Sequence, residues 1–498
     1  MWSYTITTTD VDLLRQSTRE LYSKIELLNS NFKIVDHLEG TLINDDVSIN
    51  ANSDVRRTYN CSLFVTDSTF EIAKDSKIWI DRMIRPYVGM KNLKNGEIVW
   101  YLMGTYKISS TSVTYNATTH TLNLTCNDLM CSLENEYGGI VGHAYKYKIE
   151  AGENVRTVIL GLLRDAHITN YHVGLILEEI PYDLEFDHEA SYYDMLKKVL
   201  DLFAEGWQMY FDIYGTFIWE PIPISMDDEI RIDNTTMQSL LIQENRSDNF
   251  SGIYNKTIVY GKVLEPEYYG DDVTLSDNVY HAKVDKYNVG SDTMIDSSSY
   301  IEYRNFDMIG LKINAPNTGK PTYININGIG KVPICDDDGD YLEPNQFKAN
   351  EVWVFRYRQK NDRGFSDFYC LGQYMPYGEY TEDSEDVLYS TKNVGKELLQ
   401  VIELDSIYSD DLARQRAVYE TYLKCRRLDT INLNMMAVYW LDVNQKVEYQ
   451  PIGSEKPYQY LINSISYNST DGTMSVSLQR FYDDYTVFYK KMNGTYKR

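Results

Sequence analysis

TYNATTHTLNLT, residues 114–125, lies without a gap on SYNSTDGTMSVS, residues 466–477. In each stretch a Tyr-Asn pair (Tyr115-Asn116 and Tyr467-Asn468) leads into small polar residues. The strand that returns then alternates apolar positions, Leu122 and Leu124 in one, Met474 and Val476 in the other. Alternation of this kind marks a strand with one buried face, so both stretches read as β-hairpins. Upstream of each stands a matching lead-in, Trp79-Ile80-Asp81 in the first and Trp440-Leu441-Asp442 in the second. The Trp-to-Tyr spacings are 36 and 27 residues, and the longer one contains Asn95-Gly96, a hairpin dipeptide that accounts for the extra length. Two matched elements in the same order predict a duplicated antiparallel β-barrel. Two similar barrels in one subunit allow three subunits to build a ring of six similar positions.

Working outward, short strand-like segments such as GTLI, CSLFV and RPYVGM place the first barrel at residues 31–135. Ahead of it, Val11, Leu14, Leu21, Ile25 and Leu28 recur at helical spacing and predict an N-terminal helix within residues 1–30, capped by Thr9. Val155, Ile159, Leu162, Leu163 and Ala166 then mark one helix face, and a second helix runs from about Ser191 to Glu205, stopped by Gly206. WQMYFDIYGTFIWEPIP follows as strand, Tyr214-Gly215 turn and strand, so residues 136–228 read as a small α/β domain. The second barrel is expected from residues 229–262 together with 396–485, including a helix that begins at Ser409. A β-rich insertion at 263–395 interrupts it, and 486–498 form a tail. The fold class expected is mainly β with α+β insertions.

The 498 residues hold 48 Lys+Arg against 73 Asp+Glu, a net charge of −25. Such acidity argues against general duplex-DNA binding, which cations drive. No window of 18 apolar residues and no signal-type apolar core is present, so stable membrane insertion is not expected and cytoplasmic synthesis is. The six cysteines show no C-x-x-C and read as free buried thiols. Asp336, Asp337, Asp338 and Asp340 suggest calcium, but Tyr341 and Phe347 stand where an EF-hand needs Gly and Glu, and the segment reads as a hairpin tip. The histidines form no H-E-x-x-H, and phosphate-loop, nucleophile-elbow and dinucleotide glycine patterns are missing. No catalytic, cofactor-binding or metal-binding residue is therefore singled out. Arg56 and Arg57, beside Asp54, read as a structural salt bridge or a subunit contact.

GTLINDDVSINANSDVRRT (40–58) with KIWIDRMIRPYVGM, DIYGTFIWEPIP, and ARQRAVYETYLKCRR with YWLDVNQKVEY together carry a family resemblance. The chain resembles the hub protein of long-tailed bacteriophage baseplates and tail tips, a group that includes the N-terminal part of tail-associated lysins. The likeness covers most of the chain outside about 262–395. It implies a homotrimer in which two tube-type barrels per chain make a pseudo-six-fold ring. Its partners would be the tail tube, distal tail and baseplate proteins, a three-fold spike or tip, and the tape-measure protein. DNA would meet it only in passing through the channel, and its place would be the virion tail, after synthesis in the bacterial host cytoplasm. Only residues 486–498 follow the last barrel, so no lysin domain and no enzymatic activity are expected. PTYININGIGKVPI and NQFKANEVWVFRYR resemble a small β-module that recurs in phage tail proteins. The alternative is a receptor-binding, carbohydrate-binding tail adhesin with Tyr and Trp as stacking platforms; a tail-associated cell-wall hydrolase with its site in 262–395 is a further one. In the hub reading, much of the negative charge is expected to line the channel and keep phosphate from adhering.

Overall fold

The computed structural model describes residues 4–480 except 39–40, 65–76, 81, 116–119, 135–138, 142–146, 203–206, 223–228, 248–249, 265, 267, 272, 287–301, 374 and 427–429. Asp81, Asn116 and the tail 486–498 thus lie outside the described residues. Period-two burial organises the largest element, a sheet of thirteen strands. They are β1 (Leu21–Leu28), β2 (Ile34–His37), β3 (Thr41–Asn50), β4 (Arg57–Phe64), β5 (Met83–Lys91), β6 (Ile98–Leu102), β7 (Tyr106–Tyr115), β8 (His120–Asp128), β9 (Leu241–Ser247), β10 (Thr430–Met436), β11 (Lys446–Tyr449), β12 (Tyr458–Asn468) and β13 (Thr473–Arg480). The order is β9-β10-β13-β12-β3-β4-β8-β7-β5-β1-β2, with β11 beside β12 and β6 beside β5. One face packs into a common core containing Val47, Tyr59, Leu122, Leu124, Ile431, Leu433, Met474 and Val476.

Strand registers show the duplication directly. Four strands, β3-β4-β8-β7, recur as β9-β10-β13-β12, and each copy carries two bulges at equivalent places. Ile43 is the extra residue between Leu42 and Asn44, and Ile242 is the extra one between Leu241 and Gln243. Ser109 and Asn463 are the extra residues on β7 and β12, opposite Thr125/Cys126 and Ser477/Leu478. A bulge bends and twists its strand, so matched bulges give the two copies the same curvature. The gapless hairpin alignment holds on the returning strand only. Leu122 pairs with Val113 while Met474 pairs with Tyr467, so Tyr467 stands where Val113 does, and Tyr115 sits two pairs further out, opposite His120. Trp79 and Trp440 lie in equivalent connections, β4 to β5 and β10 to β11, Trp79 half-buried and Trp440 buried.

Residues 1–30 are not one helix. α1 (Thr8–Leu14) is a two-turn helix capped by Thr7, whose hydroxyl accepts from Asp10 N–H, and the chain from Leu21 becomes β1, paired along its length with β5. Leu21 and Ile25 are four apart, a spacing that satisfies both the helical period and the strand period of two. The domain boundaries also need correction. Strand Lys256–Tyr260 does not join the barrel; it pairs with Tyr377–Thr381 and Leu399–Glu403 in a separate three-stranded sheet. Alternation reports that a strand has one buried side, not which strand lies beside it.

The α/β domain holds α2 (Val155–Asp165), α3 (Tyr192–Leu200, capped by Ser191) and a three-stranded sheet that contains Trp207–Phe211 and Phe217–Pro221. α4 (Asn234–Leu240) leads into β9 under an Asp233 cap. α5 (Asp410–Lys424) packs on the three-stranded sheet of the insertion, where Gly378 is required because a Cβ there would stand 2.2 Å from the Arg414 nitrogen. The insertion therefore runs from β9 to β10, and its nine-stranded sheet spans Tyr268–Gln373.

Trp440 is 6% exposed, with the rings of Tyr101 and Tyr4 at 5.9 and 6.4 Å. Trp440→Ala should cost about 3–5 kcal/mol in urea unfolding, whereas half-buried Trp79→Ala should cost about 1–2 kcal/mol. Equal losses would contradict this packing.

Candidate functional site

The face of the sheet turned away from the core is a carpet of hydroxyl and amide side chains. Directly paired residues share a face, so rows can be read across strands. One row crosses both copies: Gln243, Asn434, Ser475, Ser466, Ser48, Thr58, Asn127 and Lys107. Adjacent rows are Asn245, Asn432, Ser477, Ser464 and Asn50 on one side, Asp46, Asn60, Thr125 and Ser110 on the other. Only Asp46 and Lys107 in these rows are charged. Cross-strand hydrogen bonds knit them: Ser466 Oγ donates to Asp46 Oδ1 at 2.9 Å, Ser475 Oγ to Asn434 Oδ1 at 2.8 Å, and Ser62 Oγ to Asn123 Oδ1 at 2.6 Å. The acidity expected on a channel wall is therefore not on this face. A net charge summed over a whole chain says nothing about a face on which alternate residues are Ser, Thr and Asn.

The two copies join edge to edge. β12 pairs with β3 through Ser464–Asn50, Ile465–Ile49, Ser466–Ser48 and Tyr467–Val47, and Ala51 N–H donates to Asn463 O at 2.9 Å. At the far ends, β9 pairs with β10 alone among the described residues. Among the described residues β7 meets β5 at Tyr106 and Lys107, and its edge from Ser110 onward carries no strand.

Beneath the join lies a buried polar knot that unites two separately noted residues, Arg57 and Asp442. The Arg57 guanidinium is 1% exposed and ion-paired with Asp442, and its backbone N–H donates to Asp128 Oδ2 at 2.8 Å. Arg56 reaches the α/β domain: its Nη2 donates to Gln208 Oε1 at 2.8 Å, and its guanidinium carbon lies 4.0 Å from the Tyr210 ring centre. The same Gln208 oxygen accepts from Asn444 Nδ2 at 2.7 Å. Tyr467 Oη donates to the carbonyls of Val438 and Leu441 at 2.9 and 3.0 Å, holding the Asp442 loop. First copy, second copy and α/β domain thus meet at one point.

Burial alone would lower the Arg57 pKa, but the charge of Asp442 reverses this and the net shift is upward. Arg56, desolvated and facing Arg57, is shifted down. Burial pushes Asp128 up to about 6 against hydrogen bonds from the Arg57 and Met130 backbone, and burial likewise pushes Asp45 up to about 6.

Gln208, Tyr210, Asp128 and Asn444 were not legible as site residues; a polar pair two apart in a strand, Gln208 and Tyr210, was the available signal. Nor was LINDDVS (42–48) matched to LIQENRS (241–247), although it carries the first bulge of each copy. Asp336 to Asp340 form a hairpin tip, with Asp340 N–H on Asp336 Oδ1 at 2.7 Å. No three His, Cys, Asp or Glu side chains converge as metal ligands among the described residues. The cysteines are free, and no helix among the described residues is long and apolar enough to cross a membrane.

Residues 386–485 match the family model of a domain of unknown function, DUF5048. No curated protein matches the chain. Among solved structures it is similar to the 43 kDa tail protein of prophage MuSo2 from Shewanella oneidensis, at TM-score 0.48 and 9% identity over 92% of this chain and 98% of that one. It is similar also to a tail protein from Neisseria meningitidis MC58, at TM-score 0.47 and 8% identity over 92% and 96%. A third is prophage tail protein gp18 from Listeria monocytogenes EGD-e, at TM-score 0.42 and 9% identity over 95% and 98%.

Removing one partner of the knot should be worse than removing both. Asp442→Ala strands the buried guanidinium and should cost about 3–5 kcal/mol, while Arg57→Met with Asp442→Leu should recover most of that. Additive losses in the double-mutant cycle would show that the pair is not coupled. Because Asp45 is shifted upward, its contribution is fully present below about pH 4 and is lost as pH rises through about 6. Asp45→Asn should therefore flatten the fall in unfolding free energy between pH 4 and pH 7 by ~1–3 kcal/mol; an unchanged slope would assign the fall to other groups.

Proposed function

We propose that the chain is a structural subunit of a bacteriophage tail, a homotrimeric hub whose sheets close into one ring around a channel. The observation that carries this reading is the unfinished symmetry of the sheet. Copy two meets copy one through β12 and β3. The same contact with the copies exchanged would be β7 against β9, and among the described residues those are the two edges that no strand covers. Long unpaired edges are templates for pairing with another chain, and an identical neighbour supplies the complementary edge. Three chains then offer six equivalent four-strand units, which fits a six-fold tube on one side and a three-fold spike or tip on the other.

In this ring the hydroxyl and amide face lines the channel. A wall whose only charges in these rows are one Asp and one Lys has no net charge to concentrate or repel phosphate, so DNA passes without the counterion release that makes basic surfaces sticky. The tail tube, distal tail and baseplate proteins and the tape-measure protein are the partners of such a subunit, the virion tail is its location, and its role is not enzymatic. Trp79, Tyr115, Tyr467 and Asn468 belong to the repeat that builds the wall, and Arg56, Arg57, Trp440 and Asp442 to its internal lock.

Bulge-matched equivalence sets the register between chains. Val47 corresponds to Arg246 and Tyr467 to Val113, so Val113 should face Arg246, and Ser112 should face Ser247, across the subunit boundary. A chain carrying Ser112→Cys and Ser247→Cys should oxidise to a covalent trimer on a non-reducing gel, and neither single variant should. Cross-linking that stops at monomer would rule out this edge pairing.

A further inference from the structure

A different polar feature lies in the cleft where the α/β domain meets the insertion. The cleft has a volume of about 800 Å³, and Arg356, on strand Val352–Arg358, lines it. Arg356 is 4% exposed, and its Nε and Nη2 find no hydrogen-bond acceptor among the described residues. The Tyr408 ring centre is 5.4 Å from its guanidinium carbon, Tyr182 meets Tyr408 edge to face at 5.5 Å, and Lys262 Nζ lies 4.6 Å from the Tyr182 ring centre. Phe306 and Met308 extend the apolar wall.

Two residues along the same strand, Arg358 shows what a satisfied arginine looks like here. Its Nε and Nη2 grip the two oxygens of Asp367 at 2.9 and 2.6 Å, a bidentate fork on a carboxylate. The same two donors of Arg356 meet no such acceptor among the described residues. A buried cation without a partner is costly, and methionine would fill the space without that cost. The carboxylates that line the cleft are engaged elsewhere or leave these donors alone: Asp183 is held by Lys148 at 2.6 Å and by Ala151 N–H at 2.9 Å, and Asp307 accepts from Arg304 N–H at 3.2 Å. With Glu185 and Asp405 they set four carboxylates against Lys198, Lys262 and Arg356 in the lining, a balance that has no cluster of free cations for a polyanion and suits a single negative charge at Arg356.

We propose that this cleft binds a small monocarboxylate, its carboxylate taking the free Nε and Nη2 of Arg356 and its ring-sized body lying against Tyr182, Tyr408 and Phe306. Both nitrogens are closed to solvent, so binding requires a side chain at the cleft to move aside. Lys262 adds a second positive charge at the mouth.

Isothermal titration of the full chain with benzoate and with glucuronate, against acetate and inorganic phosphate, tests this. Saturable binding of benzoate or glucuronate is expected, tighter than acetate or phosphate, and which of the two prevails tells an aromatic body from a sugar. Arg356→Lys, which keeps the charge but loses the fork, should weaken it at least tenfold, and Lys262→Met more modestly. Ligand-free Arg356→Met should melt no lower than the parent. No saturable binding, phosphate binding as tight as the carboxylates, or unchanged affinity in Arg356→Lys would overturn the proposal. A fall in melting temperature for Arg356→Met, or its failure to fold, would make the guanidinium a structural group and do the same.

Discussion

Everything in the barrel half of the molecule depends on one strand-to-strand contact, β12 on β3. Four backbone pairs convert two copies of a four-strand unit into one continuous sheet. Backbone N–H and C=O groups cannot be left unpaired cheaply, and a pairing solved once inside the chain is available again wherever the same two edges recur. The matched bulges at Ile43 and Ile242, and at Ser109 and Asn463, give each unit the same bend, so the edges it presents are geometrically repeatable.

A sheet that must hold its curvature needs a rigid reference, and the knot around Arg57 supplies one. Arg57 belongs to the start of β4, Asp442 to the β10–β11 connection of the other copy, and Gln208, reached through Arg56, to the α/β domain. Hydrogen-bonded charges buried in low dielectric tolerate little displacement, so the three parts are fixed in mutual orientation rather than merely in contact. The face turned away from the core, where Asp46 and Lys107 are the only charges in the rows traced, follows a different rule. Ser, Thr and Asn at alternate positions pair across strands and leave the wall polar, without the repulsion that a carboxylate at each place would create.

How much of this was readable follows from what a local pattern can encode. The returning strands of the two hairpins were legible because Leu122/Leu124 and Met474/Val476 alternate, and alternation is a property of neighbours in sequence. The N-terminal strand was misread because Leu21 and Ile25 fit two periods at once. Lys256–Tyr260 was recognisable as a strand but not as part of another sheet, since its burial pattern is the same whichever neighbour it has. Arg57 and Asp442 each stood out, yet their pairing joins residues 385 positions apart and no spacing rule reaches that far. The composition of the hydroxyl and amide face was hidden by the opposite fault, a whole-chain charge of −25 that this face does not carry. Arg356 gave no signal at all, because only the fold shows that its neighbour Arg358 grips a carboxylate while Arg356 grips none among the described residues.

Class averages from electron micrographs of the purified protein bear most directly on the central claim, that β7 and β9 are the edges that close the ring. The account predicts a three-fold particle with a central hole, whose inner wall is a continuous sheet showing six near-equivalent units. A monomer, or an assembly in which the β7 and β9 edges face outward and the hydroxyl and amide face is covered, would contradict it.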